Sequence, residues 1–587
     1  MTLRLIRATR RGALLGAAVA LTTGAEIRAA QVSATAEGVR ITTPGAEFLI
    51  EPSSRVEVWL LKDGGRETLD ERSGASSDGV IGGGRRWPDV ALDMEHSRTS
   101  KAHGKLGSGT RVEASGRTPS GIEKTLALEV YDDFPGVLFV SATYRNGSTS
   151  PVTIDAVELL SRRLMAPRGT SLWSFQGASE EWGRDEILPL TRGFERQNPT
   201  GTMTPGGYGS GIPVVAFWSA SVGEAIGQVE TIPIPMSLPV KAEEGGRVRA
   251  ALSLPVGRSL RPGDSYATPR AFVTVYSGDY FEPLRTFSTV VQREGWTLPK
   301  PSSAAYDVAW CGWGYESEVT PAQMLAIVPK LKELGIRWAT LDDRWFDTYG
   351  DWRPRSDTFP GDAIRRLVDD YHRQGIFAQL WWLPLGVEDG KGKYESHAYG
   401  LSAVAREHPD WLVLGRDGKP ARITRGLATL CPALPEVKEY HRMLTERFVR
   451  DWGFDGHKLD NIYAIPPCYN PKHHHARPAE STEAMGEIYR TIFETTRSLK
   501  PESVTQICPC GTTPSFDWLR QMDQAVTADP VGSVQVRRRL KLYKALLGPE
   551  AAVYGDHVEL TGVTTGPKGP EANDDGEDFA STLGVGG

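Results

Sequence analysis

The sequence has no large excess of charge of either sign. Its 67 lysine and arginine residues are nearly balanced by 73 aspartate and glutamate residues, so the formal net charge of the 587-residue chain is −6. Proteins that hold phosphate backbones or anionic lipids over a broad surface usually carry a clear positive excess. We therefore expect no nucleic acid among its partners.

Cysteine is also scarce. The five cysteines lie in the second half of the chain, at positions 311, 431, 468, 508 and 510. Their odd number excludes a fully paired disulfide framework, although export would permit one bridge. Cys508 and Cys510 lack the second cysteine pair or the histidines of a zinc finger. We predict no metal site and no cofactor.

Long apolar runs are missing after the first thirty residues. Residues 13–21 are apolar, four arginines precede them, and Ala29 and Ala30 supply small residues for cleavage. This pattern predicts a signal peptide over residues 1–30, and Arg10 and Arg11 make the twin-arginine route plausible. No other run approaches the roughly 18 residues of a membrane span. We expect a soluble mature protein in the periplasm or outside the cell, with no membrane span.

Residues 31–300 alternate between apolar and polar positions, with frequent glycine and proline. Leu126, Leu128 and Val130 show the period of two that is typical of half-buried antiparallel strands. We predict an antiparallel β-sandwich domain over residues 31–300, of the large type called a β-supersandwich.

Residues 301–587 change to strands that alternate with helices, which is typical of a parallel sheet. The first helix is capped by Thr320, ends at Gly335 and has an apolar stripe that includes Leu334. A short run at 427–430 is read as an insertion. Eight strands in succession predict a (β/α)8 TIM barrel; they are placed at 306–310, 337–341, 376–382, 454–459, 504–507, 525–528, 551–554 and 579–585.

The sequence stops just after the eighth predicted strand. A complete barrel would continue with one more helix. We therefore expect a catalytic barrel at 301–587 that lacks its last helix and any C-terminal β domain, because the sequence is truncated.

Acidic and aromatic residues follow the predicted barrel strands. Catalytic side chains of such barrels lie at the carboxyl ends of the strands. Carboxylates hydrogen-bond sugar hydroxyls, and indole rings stack on the apolar face of a pyranose. The mouth therefore suits a carbohydrate. Its candidate residues are Trp313, Asp342, Asp343, Trp381, Lys458, Asp460 and Asp529.

Glycoside hydrolysis needs two carboxyl groups, about 5–5.5 Å apart in retaining enzymes. Asp460 and Asp529 supply one each, from strands four and six. Lys458 precedes Asp460 by two positions, so both side chains point to one side of the strand and the ammonium favours an ionised nucleophile. The alternative is a structural ion pair between Lys458 and Asp460.

Several motifs occur in the order found in family 36 glycoside hydrolases of clan D, and the chain resembles the α-galactosidases of that family over nearly all of its mature length. In the first half, the similar segments are 131–136 (Tyr-Asp-Asp-Phe-Pro-Gly) and 181–193. In the second half they are 341–346 (Leu-Asp-Asp-Arg-Trp-Phe), 350–352 (Gly-Asp-Trp), 359–360 (Phe-Pro), 381–384 (Trp-Trp-Leu-Pro), 408–411 (His-Pro-Asp-Trp), 458–461 (Lys-Leu-Asp-Asn) and 556–558 (Asp-His-Val).

The resemblance implies a retaining mechanism with Asp460 as the nucleophile and Asp529 as the acid/base. It implies that Asp342, Asp343, Lys458 and Arg425 hold the galactose hydroxyls. The pocket walls would be Trp313, Trp352 and Trp381, with Cys508 and Gly511 near the 2-hydroxyl. The expected substrate is an α-galactoside oligosaccharide or a polysaccharide side chain.

The sequence departs from the family pattern at several positions. The family usually has glycine at the position of Arg344, tryptophan at that of Leu459 and glutamate at that of Leu385. Residues 528–532 read Ala-Asp-Pro-Val-Gly where the family has Ser-Asp-Asn-Thr-Asp. These changes leave the exact sugar open.

Alternatives remain within and beyond this class. They are a transglycosylase of the raffinose-synthase type, an α-N-acetylgalactosaminidase or other clan D α-glycosidase, and a barrel that binds glycans without cleaving them. The sequence leaves a homo-oligomer open.

Several charged runs are interpreted as structural. We expect a solvated loop at 473–475 (His-His-His), exposed charges at 388–389 and 574–575, and a solvated or salt-bridged helix face at 537–539.

Overall fold

The structure, a computed structural model, describes residues 29–555 with gaps at 72–77, 88, 168–169, 205–206, 393–399, 461–462 and 528–532. Most of the predicted signal peptide, Asp529, the eighth barrel strand and the charges at 574–575 therefore lie outside the described residues.

The first half is built of antiparallel sheets, as its alternation predicts. One sheet has five strands in chain order: Gln31–Thr35, Gly38–Thr42, Ala46–Ile50, Val56–Lys62 and Gly65–Glu67. A larger sheet has, in spatial order, Ile187–Pro189, Trp173–Phe175, Val214–Trp218, Gly223–Gln228, Ala271–Tyr276, Val137–Asn146, Ile122–Tyr131, Gly107–Arg117 and Leu92–Gly104, and Ser265–Ala267 pairs with Val137–Asn146.

A third sheet lies beside these two. It contains, in spatial order, Glu195–Arg196, Val240–Ala242, Arg247–Leu260, Val152–Met165, Gly79–Gly82 and Arg85–Arg86. Met236–Ser237 also pairs with Arg247–Leu260, and Pro199–Thr200 pairs with Met236–Ser237. Leu126, Leu128 and Val140 are buried together with apolar residues of all three sheets. The predicted sandwich is confirmed.

The helix Phe281–Glu294 follows the last of these strands and is not predicted by the alternation. Gly295 ends it in the left-handed conformation, with φ of 115°. Its apolar face joins the core that extends into the second half, where it packs against the helix Ser533–Leu547.

The second half contains seven consecutive parallel strands among its described residues. Each pairs with the next, so they curl in chain order as in a barrel. They are Ala309–Cys311, Trp338–Leu341, Phe377–Trp382, Gly456–Asp460, Val504–Cys508, Gln524–Val526 and Ala552–Tyr554.

Six of these strands lie within one or two residues of their predicted starts. The first does not, since Ser303–Tyr306 forms a 3-10 turn and the strand begins only at Ala309. The prediction of a strand at 306–310 is thus displaced. Tyr306 turns back to donate its hydroxyl proton to the carbonyl of Glu550, at 2.5 Å.

Helices connect the strands on the outside of the curl. The α-helices are Pro321–Ala326, Val328–Leu334, Ala363–Arg373, Ala403–Glu407, Pro435–Glu446, Glu480–Glu483, Met485–Leu499 and Ser533–Leu547, and a π-helical turn at Arg447–Asp451 extends the fifth of them. Short 3-10 turns lie at Glu244–Gly246, Gly312–Glu318, Pro409–Trp411, Thr424–Gly426 and Phe516–Trp518. None of the described helices has the length and apolar character needed to cross a membrane.

The first of these helices begins as predicted, since the Thr320 hydroxyl accepts from the backbone N–H of Gln323 at 3.3 Å. Gly335 ends the helical segment. The predicted apolar stripe is wrong at Leu334, which is 62% exposed, and Met324 is buried instead. The helix breaks at Ile327, which changes the face presented by the last turn.

The predicted insertion after strand three is confirmed. Ala428–Thr429 pairs antiparallel with Gly386–Val387, outside the barrel sheet. The expected exposure at 388–389 is wrong, because Glu388 and Asp389 are buried. Glu388 accepts from the backbone N–H of Tyr349, and Asp389 forms a bidentate pair with Arg422 at 2.8 and 2.9 Å.

Two ion pairs join the two halves of the chain, one buried and one partly exposed. Arg539 Nε lies 3.1 Å from Glu186, and both side chains are excluded from solvent. Arg538 lies 3.3 Å from Asp185. The arginine run thus forms a salt-bridged face, which is one of the two expected outcomes.

Candidate active site

Asp460 ends the fourth barrel strand and is held by an indole. Nε1 of Trp381 donates to Oδ2 of Asp460 at 2.8 Å. Parallel pairing sets this geometry, because Trp381 lies opposite Lys458 in the register and Cys508 lies opposite Asp460. Four predicted site residues therefore meet on three adjacent strands.

Asp342 follows the second strand and pairs with Lys458. The Lys458 ammonium donates to Oδ2 of Asp342 at 3.0 Å, and the Cys311 thiol donates to the same oxygen at 3.0 Å. Burial, followed by the charge of Asp342, raises the pKa of the Cys311 thiol well above its usual range. Cys311 is therefore a neutral donor to this carboxylate.

Asp343 pairs with Arg425, which comes from the insertion after strand three. Nη1 of Arg425 donates to Oδ2 of Asp343 and to the hydroxyl of Tyr349, at 2.8 Å in both cases. The guanidinium also lies 5.7 Å from the centre of the Trp381 ring. Arg425 thus links the second strand to the indole that holds Asp460.

The charge of Arg425 is stabilised by these neighbours. Burial acts to lower the pKa of Arg425, but Tyr349, Asp343, Cys510 and Asp460 together raise it well above its usual value. Burial in turn raises the pKa of Tyr349. The Arg425 guanidinium therefore stays charged, and the Tyr349 side chain stays a neutral phenol.

Left-handed backbone is concentrated around this mouth. Five residues other than glycine have positive φ there: Arg344 (81°), Trp352 (55°), Leu385 (69°), Arg425 (59°) and Cys510 (41°). Each such position costs of order 1–3 kcal/mol, and residues of this kind cluster at functional sites. The family that the sequence resembles usually has glycine at the position of Arg344. Glycine is the residue that adopts this conformation most easily.

The predicted pocket walls have different environments. Trp352 is buried, and its ring lies 6.2 Å from Trp381 and 4.6 Å from Phe346. It packs directly against the indole that bonds Asp460. Trp313 is half-buried in the 3-10 turn Gly312–Glu318, after strand one.

Gly511 lies against a residue of the first half. A Cβ atom built on Gly511 would lie 2.2 Å from Nε1 of Trp182, and the backbone N–H of Gly183 donates to the Gly511 carbonyl at 2.8 Å. Nearby, Tyr208 packs on Tyr463 with ring centres 5.3 Å apart. Loops of the sandwich therefore reach the loops that follow strands four and five.

The structure brings Asp342, Asp343, Lys458, Arg425, Trp381 and Asp460 into one connected network, and Cys508 lies beside Asp460. Asp529 cannot be placed in it, because 528–532 lie outside the described residues.

Sequence reasoning missed Cys311, Tyr349 and Trp182 as members of this site. Cys311 could have been found, since it ends the first strand. Tyr349 belongs to the site through its hydrogen bond with Arg425, which is 76 residues away. No local sequence pattern signals such a contact.

Sequence reasoning also missed the burial of the histidine run. His473 is 8% exposed, and the side chain of His475 is 9% exposed. The prediction of a solvated loop is therefore wrong for both residues. His474 alone is exposed.

Comparison with known proteins identifies a domain in the second half of the chain. Residues 305–565 match the family model described as Melibiase. The chain contains a melibiase domain of the glycoside hydrolase family 36 type. The resemblance seen in the sequence is thereby confirmed.

Solved structures share the fold of the melibiase domain together with the sandwich before it. The family 36 α-galactosidase AgaB from Geobacillus stearothermophilus has a TM-score of 0.57 at 15% identity, over 94% of this chain and 85% of that one. The galactosidase domain of the α-galactosidase–sucrose kinase AgaSK has a TM-score of 0.58 at 14% identity, over 94% and 82%. At these identities the likeness concerns the fold alone.

Two curated relatives extend the comparison. The A type blood α-D-galactosamine galactosaminidase of Flavonifractor plautii is 30% identical over 506 residues, which is 82% of this chain and 45% of the relative. The α-galactosidase Mel36A of Lactobacillus acidophilus is 34% identical over 109 residues, 17% of this chain and 13% of the relative. The chain spans less than half the length of either.

Proposed function

We propose that the protein is a retaining α-glycosidase that removes a terminal α-D-galactose-type sugar by double displacement, with Asp460 as nucleophile and Asp529 as acid/base. The observation that carries this proposal is the bond from Trp381 to Asp460, beside the Asp342–Lys458 and Asp343–Arg425 pairs. A buried carboxylate at a strand end of a melibiase domain, ringed by polar groups, is suited to a sugar substrate.

In the first step, an oxygen of Asp460 forms a bond to the anomeric carbon while the bond from that carbon to the leaving oxygen breaks. Asp529 gives its proton to the leaving oxygen. In the second step, Asp529 takes a proton from water, and the water oxygen displaces Asp460 with a second inversion. The product keeps the α configuration.

The two ion pairs form the sugar subsite in this proposal. Asp342 and Asp343 accept hydrogen bonds from hydroxyls, while Lys458 and Arg425 donate to the sugar and keep those carboxylates charged. Trp381 has two functions: its N–H orients Asp460, and its ring is available to the apolar face of the sugar. Cys508 and Gly511 would face the group at the 2-position.

A second candidate is an α-galactosaminidase, which differs only at the 2-position. It is favoured by the Flavonifractor galactosaminidase, whose similarity extends over most of this chain. The neighbours that hold raffinose and stachyose are α-galactosidases. The two candidate activities differ in the group at the 2-position of the sugar and share the same mechanism.

The test is a panel of p-nitrophenyl glycosides with α-galactose, α-galactosamine, α-N-acetylgalactosamine and β-galactose. The proposal predicts turnover of one or more α-substrates, none of the β-substrate, and loss of at least about 1,000-fold in Asp460→Asn, since the nucleophile is needed for both steps. Thr191→Ala, at an exposed position of the first half, is the control and should keep full activity. Binding of an α-galactoside without turnover would instead establish a glycan-binding barrel.

Product analysis at high sugar concentration separates hydrolysis from transfer. A hydrolase gives mainly free monosaccharide, whereas a transglycosylase of the raffinose-synthase type gives mainly oligosaccharide.

We also propose that the protein is exported, on the basis of residues 1–30. Replacement of Arg10 and Arg11 by lysine should retain the precursor inside the cell if the twin-arginine route is used. N-terminal sequencing of exported protein should begin near residue 31. Unchanged export of the lysine variant would exclude that route.

A further inference from the structure

Four metal-binding side chains meet in the loops outside the barrel mouth. They are Cys431, Cys468, His473 and His475, and their candidate ligand atoms all lie within 4.8 Å of one another. Three are buried and His475 is half-buried. None has a part in the proposed reaction.

The distances suit a small tetrahedral ion. Sγ of Cys431 lies 3.2 Å from Nε2 of His475, and Sγ of Cys468 lies 3.2 Å from Nδ1 of His473. Zn–S bonds of about 2.3 Å and Zn–N bonds of about 2.0–2.1 Å separate tetrahedral ligand atoms by roughly 3.3–3.8 Å. Two sulfur and two imidazole ligands are a common set for structural zinc.

Each imidazole has a polar partner facing its other nitrogen. Nε2 of His473 lies 2.6 Å from the Asp410 carbonyl, so it carries the proton and Nδ1 has its lone pair directed towards Cys468. Nδ1 of His475 lies 3.7 Å from the carboxylate of Glu480, which leaves Nε2 directed towards Cys431. Histidine ligands of zinc are usually held in this way, by a carbonyl or a carboxylate.

Both sulfur atoms accept hydrogen bonds from the backbone. N–H groups of Leu414 and Asn470 donate to Cys468, and those of Ala433 and Leu434 donate to Cys431. Backbone donors of this kind stabilise thiolate sulfur, which is the form that binds metal.

The cluster joins two segments that carry the site. Cys431 follows the strand Ala428–Thr429 in the insertion that carries Arg425, while Cys468, His473 and His475 belong to the loop after Asp460. A surface groove of about 420 Å³, lined partly by residues 472–475, gives an ion access from solvent.

We propose that Cys431, Cys468, His473 and His475 bind one structural Zn²⁺ ion, which fastens the loop after strand four to the insertion after strand three. Binding releases the remaining thiol protons and forms two Zn–S and two Zn–N bonds, with no change of oxidation state. The ion would thereby fix the positions of Arg425 and of the segment after Asp460. All four ligands come from the protein, so no coordination position is left for substrate.

Metal analysis of the purified full chain tests the proposal. After expression with zinc in the medium and removal of loose metal, the protein should hold one zinc per chain. Cys468→Ser and His475→Ala should each hold less than about a fifth of that amount. His474→Ala is the matched control, because it lies between two ligands and is exposed; it should keep the full zinc content.

A conservative variant distinguishes the loss of a zinc ligand from misfolding. His475→Cys keeps four ligands, so it should retain zinc and a melting temperature above that of His475→Ala. Replacement of zinc by Co²⁺ should give the intense visible bands of tetrahedral cobalt and a thiolate-to-metal charge-transfer band near the ultraviolet.

Two results would overturn the proposal. One is a folded, zinc-supplied protein that contains no stoichiometric metal. The other is a disulfide between Cys431 and Cys468 in freshly purified exported protein, shown by mass spectrometry without reduction, since a disulfide would leave no thiolate for zinc. Both results would leave the proposed glycosidase activity untouched, because the glycoside panel measures that separately.

Discussion

The indole Nε1 of Trp381 donates a hydrogen bond of 2.8 Å to Oδ2 of Asp460, and both residues are buried at the ends of adjacent parallel strands. A hydrogen bond to an ionised group contributes about 1.5–3 kcal/mol. The bond fixes the direction from which the carboxylate meets a sugar.

Trp381→Phe keeps a ring but removes this donor. Its kcat on an activated aryl α-glycoside should fall about 10- to 150-fold, since 1.4 kcal/mol corresponds to a factor of ten. Trp518→Phe is the control, because within the described residues the Trp518 indole N–H has no hydrogen-bond partner, and its kcat should stay within about threefold of wild type. Equal kcat for Trp381→Phe and wild type would show that the bond has no part in catalysis.

Arg344 illustrates the conformational cost of a departure from the family. Its φ of 81° is left-handed, and its side chain lies 3.6 Å from Asp343, which Arg425 already neutralises. Arg344→Gly should be more stable than Arg344→Ala by about 1 kcal/mol, because both lose the guanidinium but only glycine relieves the backbone. Urea unfolding of the two variants measures the difference. An alanine variant as stable as the glycine variant would exclude strain at this position.

Buried histidines predict a loss of stability in mild acid. Burial lowers the pKa of His457 to about 3 and that of His441 to about 4, from 6.5. Below pH 6.5 these histidines bind protons in the unfolded chain but not in the folded chain. The free energy of unfolding therefore falls as the pH falls from 6.5 towards those lower pKa values. Each histidine contributes up to about 1.4 kcal/mol per pH unit in that window.

His457→Gln removes one of these groups. Urea unfolding at pH 7 and pH 5 should therefore show a smaller loss for the variant than for wild type, by about 1–2 kcal/mol. His372→Gln, whose ring is partly exposed and paired with Asp455, is the comparison and should not show the same reduction. Parallel pH profiles of wild type and His457→Gln would contradict the assignment.

The buried pair of Arg539 and Glu186 joins the two halves of the chain. Arg539→Ala should cost about 3–5 kcal/mol, since it leaves the carboxylate buried without its cation, whereas Arg539→Met with Glu186→Leu should recover most of that loss. An exposed pair, Lys330 and Glu333, provides the comparison, and Lys330→Ala should cost less than about 0.5 kcal/mol. Differential scanning calorimetry would show whether the halves then melt separately. A cost below 1 kcal/mol for Arg539→Ala would mean that water reaches this interface.

Structural features that depend on local periodicity could be predicted from the sequence. Alternation at 126–130 placed antiparallel strands because side chains alternate across a strand, and the carboxyl ends of the parallel strands gave Asp342, Asp343 and Asp460. The first barrel strand was displaced because residues 303–306 form a 3-10 turn, and the short run at 306–310 (Tyr-Asp-Val-Ala-Trp) does not show by itself where the strand begins.

Contacts between distant segments were not predictable. Glu388 looks like an exposed loop residue, but its carboxylate bonds the backbone of Tyr349, 39 residues earlier. Cys431 and His475 are 44 residues apart, so their spacing matches no short metal motif. Only the fold shows that such residues are neighbours.

The roles of the two aspartates are tested most directly by azide rescue with an activated aryl α-galactoside or α-galactosaminide. Asp529→Ala can still form the covalent intermediate but lacks the base that activates water, so azide should restore turnover and give a glycosyl azide of α configuration by NMR. Asp460→Ala has no nucleophile, and azide should give at most the β product. Exchange of these two behaviours between the variants would reverse the assigned roles, and near wild-type activity in both would place the active site elsewhere.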